Sequence, residues 1–202
     1  MPEDNILKKV KKLRDITGVG FKDCKTAIDE NNGDIDKSIE YLRKKGIAKA
    51  SKRMERVAAE GLVCISEKEN NFSILEVNSE TDFVAKNSEF IKFVEDVSEL
   101  SLISLGNIKK LLSTNMKNNK TVTDNLVALT SKIGEKITIR RCDFISSEKN
   151  INFSYTHAPI KNNIGKIGVL LSLSTKKKKR KFIRIWKTFN NAHSRDISTS
   201  YW

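Results

Sequence analysis

Apolar residues along this chain recur first at helical spacing, then at every second position, then at helical spacing again. Ile6, Val10, Leu13 and Thr17 fall on one face of a helix that Gly18-Val19-Gly20 stops. Phe21, Cys24, Ala27 and Ile28 mark a second helix, ended by Asn31-Asn32-Gly33. Asp34 is placed to cap a third, with Ile35, Ile39 and Leu42 facing inward and Gly46 closing it. Helices of about ten residues are marginal alone, so these three are expected to pack as a bundle over residues 1–46.

Residues 47–56 read as a basic, solvated helical linker. Strand character follows: Leu62-Val63-Cys64-Ile65 and Phe72 to Val77 flank a polar loop, which predicts an antiparallel hairpin. Asn87 or Ser88 then caps a helix through about Leu105, with Phe90, Phe93, Val94, Val97 and Leu100 on one face. Asn107 to Lys120 starts helical and loosens into a loop. Val122, Leu126, Leu129 and Ile133 form another amphipathic helix, ended by Gly134. Residues 137–142 alternate as a strand, and 153–157 and 167–171 look like two more. Helices mixed with hairpin-connected strands predict an α+β core over residues 57–175.

A chain of 202 residues with 38% hydrophobic and 31% charged content can bury a sizeable core and remain well solvated. It holds no apolar run long enough to span a bilayer, and its start lacks a signal-peptide layout. Cys24, Cys64 and Cys142 are far apart and odd in number, which fits neither a disulfide frame nor a metal site and suggests a reducing cytoplasm. The net charge of +13 is uneven: from Lys176 onward nine basic residues face one acid, so +8 of it sits in residues 176–202.

The inventory of chemistry argues against an enzyme. His157 and His193 are the two imidazoles, and neither sits in a recognisable Ser/His/Asp or Cys/His arrangement. There is no phosphate loop and no dinucleotide fingerprint, so neither nucleotide nor cofactor binding by this chain is expected. What stands out is Glu76-Val77-Asn78-Ser79-Glu80-Thr81-Asp82-Phe83-Val84-Ala85-Lys86-Asn87, which leaves a strand and enters a helix. The residues alone leave two readings open. Phe83 could fill the core beneath the hairpin while Asp82 caps a turn, or the two could form an acidic tip and an apolar wedge on the surface.

This run closely resembles the signature of elongation factor Ts, the guanine-nucleotide exchange factor for elongation factor Tu. The resemblance extends from about Ile6 to Leu173. It includes Thr17-Gly18-Val19-Gly20 and Asp23-Cys24-Lys25, which are similar to the family's ubiquitin-associated-like front module. It continues through Val57 to Gly61, Lys132-Ile133-Gly134-Glu135-Lys136-Ile137, Arg140-Arg141, Tyr155-Thr156-His157 and Gly165 to Leu170. The resemblance implies that Thr81, Asp82, Phe83 and Val84 enter the GTP-binding domain of elongation factor Tu and dislodge the nucleotide's magnesium, so that GDP leaves. It implies further partner contacts at Lys25, Ile133, Gly134 and His157. A basic nucleic-acid-binding protein is the alternative that the charge suggests, without aromatic interleaving or a binding motif to support it. A plain interaction module that uses only the N-terminal bundle is another.

The resemblance stops at the run Lys176 to Lys181. Lysine runs are written in adenines, where a base is easily gained or lost. Read from the second base of each codon, with permitted codon choices, Arg180 to Trp202 yields a series resembling the helix that follows in the family. The expectation is therefore that residues 176–202 are a frameshifted, poorly packing tail whose charge has no selected role, because their apolar residues follow neither period.

Overall fold

The computed structural model describes residues 3–53, 55–69, 71–146 and 150–174, together with 182, 184, 186 and 188. Three helices lead: α1 (Glu3–Thr17), α2 (Phe21–Glu30) and α3 (Ile35–Arg53). Val10, Leu13, Cys24, Ala27, Ile28 and Leu42 form their shared core. Asp34 caps α3 as expected, its Oδ1 accepting from Lys37 N at 3.0 Å. Gly46 does not close that helix, which runs on to Arg53 and takes in much of the anticipated linker. The reason is tertiary. A Cβ placed on Gly46 would sit 3.1 Å from Ser131 Oγ on a later helix, so the glycine permits close packing rather than marking a stop.

The remainder is an α+β unit: β1 (Glu60–Lys68), β2 (Asn71–Ser79), α4 (Asp82–Ala85), α5 (Ser88–Ile103), α6 (Ile108–Ser113), α7 (Val122–Ile133), β3 (Thr138–Ile145), β4 (Asn150–His157), β5 (Ile164–Gly165) and β6 (Ile167–Ser174). One antiparallel sheet has the order β3-β2-β1-β5, and β4 pairs with β6 in a second. The hairpin β1–β2 is in continuous register from Glu60↔Ser79 to Lys68↔Asn71. Gly61 is required there: its φ is +145°, and a Cβ would lie 2.2 Å from the carbonyl oxygen of Val77.

Helix α5 covers one face of the larger sheet. Phe90, Val94 and Val97, fully buried, meet Leu62, Leu75 and Val77. Truncating Phe90 to alanine would cost about 3–5 kcal/mol by the usual cavity penalty. Serines let the helix approach closely and satisfy one another: Ser73 pairs with Ser101 at 2.6 Å and Ser66 with Ser98 at 2.7 Å. The β4–β6 hairpin crosses the opposite face, where Gly168 leaves room for Val63; a Cβ would lie 2.7 Å from Val63 Cγ1. Asn87 caps α5, and Thr121 with Asp124 forms a capping box on α7. Gly134 ends α7 in the left-handed conformation, φ +90°.

Most of the basic tail lies outside the described residues. Phe182, Arg184, Trp186 and Thr188 have helical backbone, and the Trp186 ring lies 5.1 Å from that of Phe153. This corrects the expectation of a tail without a period: Phe182, Ile185, Trp186 and Phe189 recur at helical spacing, and Phe182 and Trp186 are half-buried while Arg184 and Thr188 are exposed. Among the described residues, no helix is long and apolar enough to cross a membrane.

Candidate functional site

Strand β2 delivers the chain to a tight turn at Glu80-Thr81. Thr81 is extended and caps the single helical turn α4, its side chain accepting from Val84 N at 3.5 Å. The turn points its residues in two directions. Val84 and Ala85 go into the core, whereas Phe83 is 80% exposed. That exposure rejects the core-filling reading of Phe83. The ring therefore contributes little to the buried core.

Beside it, Asp82 Oδ2 accepts from Lys86 Nζ at 2.8 Å, one helical turn away. The hydrogen bond from Lys86 holds the Asp82 carboxyl below its ordinary range, with a smaller contribution from the charge of Lys166. Lys166 in turn donates to Glu60 Oε2 at 2.6 Å. The tip is therefore an ionised carboxylate in an alternating line of charges, next to an exposed ring.

The geometry is held from across the fold. Glu135 accepts from Thr81 N at 3.0 Å and from Thr81 Oγ1 at 2.7 Å, and Glu80 accepts from the main-chain N–H of Lys136. The turn that follows Ile133 and Gly134 is thus clamped against residues 80–81. Of the positions implied by the resemblance, Thr81 to Val84 and Ile133-Gly134 are brought together in this way. Lys25 stands apart, exposed on α2. His157 ends β4, half-buried, with its Nδ1 2.9 Å from Tyr155 Oη, and pairs in register with Ile167, the residue after Lys166.

Sequence reasoning missed Glu80, Glu135 and Lys136 as supports. Glu135 adjoins Gly134 within a motif block, but nothing local could reveal a partner 54 residues away. It also missed the bulge at Arg140 of β3, opposite Glu76 and Val77, which brings both Arg140 and Arg141 to Glu76. Burial pushes up the thiols of Cys24, Cys64 and Cys142, which suits inert core residues rather than nucleophiles.

The family model described as "Elongation factor TS" matches residues 80–195, a span that begins at this turn. This chain belongs to the elongation factor Ts family. Similar curated proteins are named elongation factor Ts: that of Maricaulis maris (strain MCS10) is 41% identical over 166 residues, which are 82% of this chain and 53% of the relative. The one from Methylobacterium nodulans is 42% identical over 167 residues, 82% of this chain and 54% of its own length. The one from Methylorubrum populi is 43% identical over 167 residues, 82% and 55% respectively. The chain spans about half the length of the curated elongation factor Ts relatives it matches.

Proposed function

We propose that this chain acts in translation elongation as a guanine-nucleotide exchange factor, without covalent chemistry of its own, on elongation factor Tu in the cytoplasm. The observation that carries the reading is Phe83, an 80% exposed ring on a turn braced by Glu80, Thr81 and Glu135. Membership of the elongation factor Ts family supplies the partner. In this reading Phe83 wedges between side chains of the GTP-binding domain while Asp82 alters contacts near the magnesium ion. Thr81 and Val84 hold the tip in shape. Magnesium is displaced, the phosphate loop loosens and GDP departs; GTP then rebinds.

An exchange factor must bind the nucleotide-free partner better than the nucleotide-bound one, and the ratio of the two affinities sets how far release is promoted. Burying a phenylalanine contributes about 1.5–3 kcal/mol, so one exposed ring can supply much of that difference. Lys25 on α2, Ile133-Gly134 beside the tip and His157 at the end of β4 are proposed as further contacts. Stopped-flow release of a fluorescent GDP from elongation factor Tu tests the reading. Release should accelerate with the concentration of this chain and saturate. Unchanged release at all concentrations would refute it, and a salt-sensitive shift of bulk RNA in the same preparation would favour the nucleic-acid reading.

A further inference from the structure

Two consecutive residues of α7 rest on the N-terminal bundle, each at a glycine. Ser131 lies against Gly46 of α3, with Oγ 3.1 Å from where a Cβ would be. Lys132 lies against Gly18, where a Cβ would be 2.7 Å from its Cε and 3.1 Å from its Cδ. Gly18 ends α1 with φ +67°, its N–H bonded to Arg14 O at 2.7 Å, so the lysine stem covers a fixed piece of backbone. The head of Lys132 stays beside the same point, Nζ being 3.1 Å from where that Cβ would be, and bridges from there to Glu89 Oε1, 2.6 Å away in the first turn of α5. Three residues further on, Glu135 holds Thr81.

We propose that Ser131 to Glu135 is a strut that sets the orientation of the N-terminal bundle relative to the Phe83 tip, with Lys132 as its central positioning residue. The inference rests on the exchange reading for its purpose: a fixed orientation lets the α2 surface at Lys25 and the tip at Phe83 engage one partner together. When two contacts are rigidly linked, forming the first raises the effective concentration of the second. Loosening the link weakens association and leaves the chemistry at the tip untouched. The ion pair with Glu89 is solvent-exposed and contributes little by itself, so the packed stem carries the effect.

The test uses the full chain with spin labels at two exposed positions, Glu30 on α2 and Lys92 on α5, introduced as cysteines in a Cys142→Ser background. The unmodified strut should give a narrow distance distribution and Lys132→Ala a broad one. Lys132→Met, which keeps the stem and discards the charge, should restore the narrow distribution. In the GDP-release assay Lys132→Ala should raise the half-saturating concentration roughly ten-fold at an unchanged maximal rate, and Lys132→Met should stay within about two-fold of the unmodified chain. A distribution as narrow in Lys132→Ala as without it overturns the proposal. So does a broadened distribution with an unchanged half-saturating concentration, or a loss confined to the maximal rate. If the unmodified chain fails to accelerate release at all, the exchange reading falls, and the distance measurement alone decides whether the strut exists.

Discussion

The carboxylate of Glu135 accepts both the main-chain N–H and the hydroxyl of Thr81, at 3.0 and 2.7 Å. With its proton given to Glu135, the hydroxyl oxygen is left to accept from Val84 N, so the carboxylate orients the cap of the turn that carries Phe83. A residue beyond α7 thereby shapes a loop that follows β2.

Replacing Glu135 with alanine leaves a half-buried N–H and hydroxyl without their acceptor. Losing hydrogen bonds to a charged group costs about 1.5–3 kcal/mol, so the melting temperature should fall and GDP release should slow although Phe83 is intact. Glu135→Gln, which keeps an acceptor, should lose less. Thermal unfolding and stopped-flow release check both; an unmodified melting temperature and rate in Glu135→Ala would show that the cap is held by other contacts.

Phe83→Ala should leave thermal stability unchanged, because the ring touches mainly solvent. Association with elongation factor Tu should weaken by about 2 kcal/mol or more, over an order of magnitude, as for a buried aromatic anchor at an interface. Titration calorimetry against the nucleotide-free partner reads this directly. Unfolding of the variant, or unaltered affinity, contradicts the proposed wedge.

Lys25 is exposed on α2 while Cys24, Ala27 and Ile28 face the bundle core. Charge reversal in Lys25→Glu should therefore weaken association and reduce its salt sensitivity, with little effect on unfolding. The check is the association rate measured across a series of salt concentrations. A lower melting temperature with unaltered association would place Lys25 in the fold rather than at an interface.

Glu76 offers a pH signature. Burial raises its carboxyl, but hydrogen bonds from Arg140, at 2.9 Å, and Arg141 outweigh that and leave it below its ordinary value. A carboxyl lowered in the folded state adds stability above its unfolded value, about pH 4, and loses it as pH falls through the folded one. Unfolding free energy should therefore drop in acid, and Glu76→Gln should flatten that part of the profile. Denaturant titrations from roughly pH 3 to pH 6 measure it. Parallel profiles for the two proteins would assign the acid sensitivity elsewhere.

Legibility followed the range of the interaction. The hairpin β1–β2, the Asn87 cap of α5 and the Gly134 stop of α7 were all readable, because alternation, side-chain capping and the left-handed freedom of glycine act within a few residues. Gly46 was misread for the same reason. A glycine within a helical pattern looks like a stop until a second helix is known to press against it.

The sequence by itself determined the α+β class and most of the order of elements, though not the short strand β5, and its motif blocks pointed to the turn at residues 80–84 as the candidate site. It could not decide whether Phe83 is core or surface, since burial depends on which elements happen to cover a turn. Nor could it reveal that Glu135 grips Thr81, that a bulge brings Arg140 and Arg141 to one carboxylate, or that Lys132 spans Gly18 and Glu89. Those relations join residues dozens of positions apart, and no local periodicity records them. Only closing the sheet under α5 and seating α7 on the bundle brings them within bonding distance.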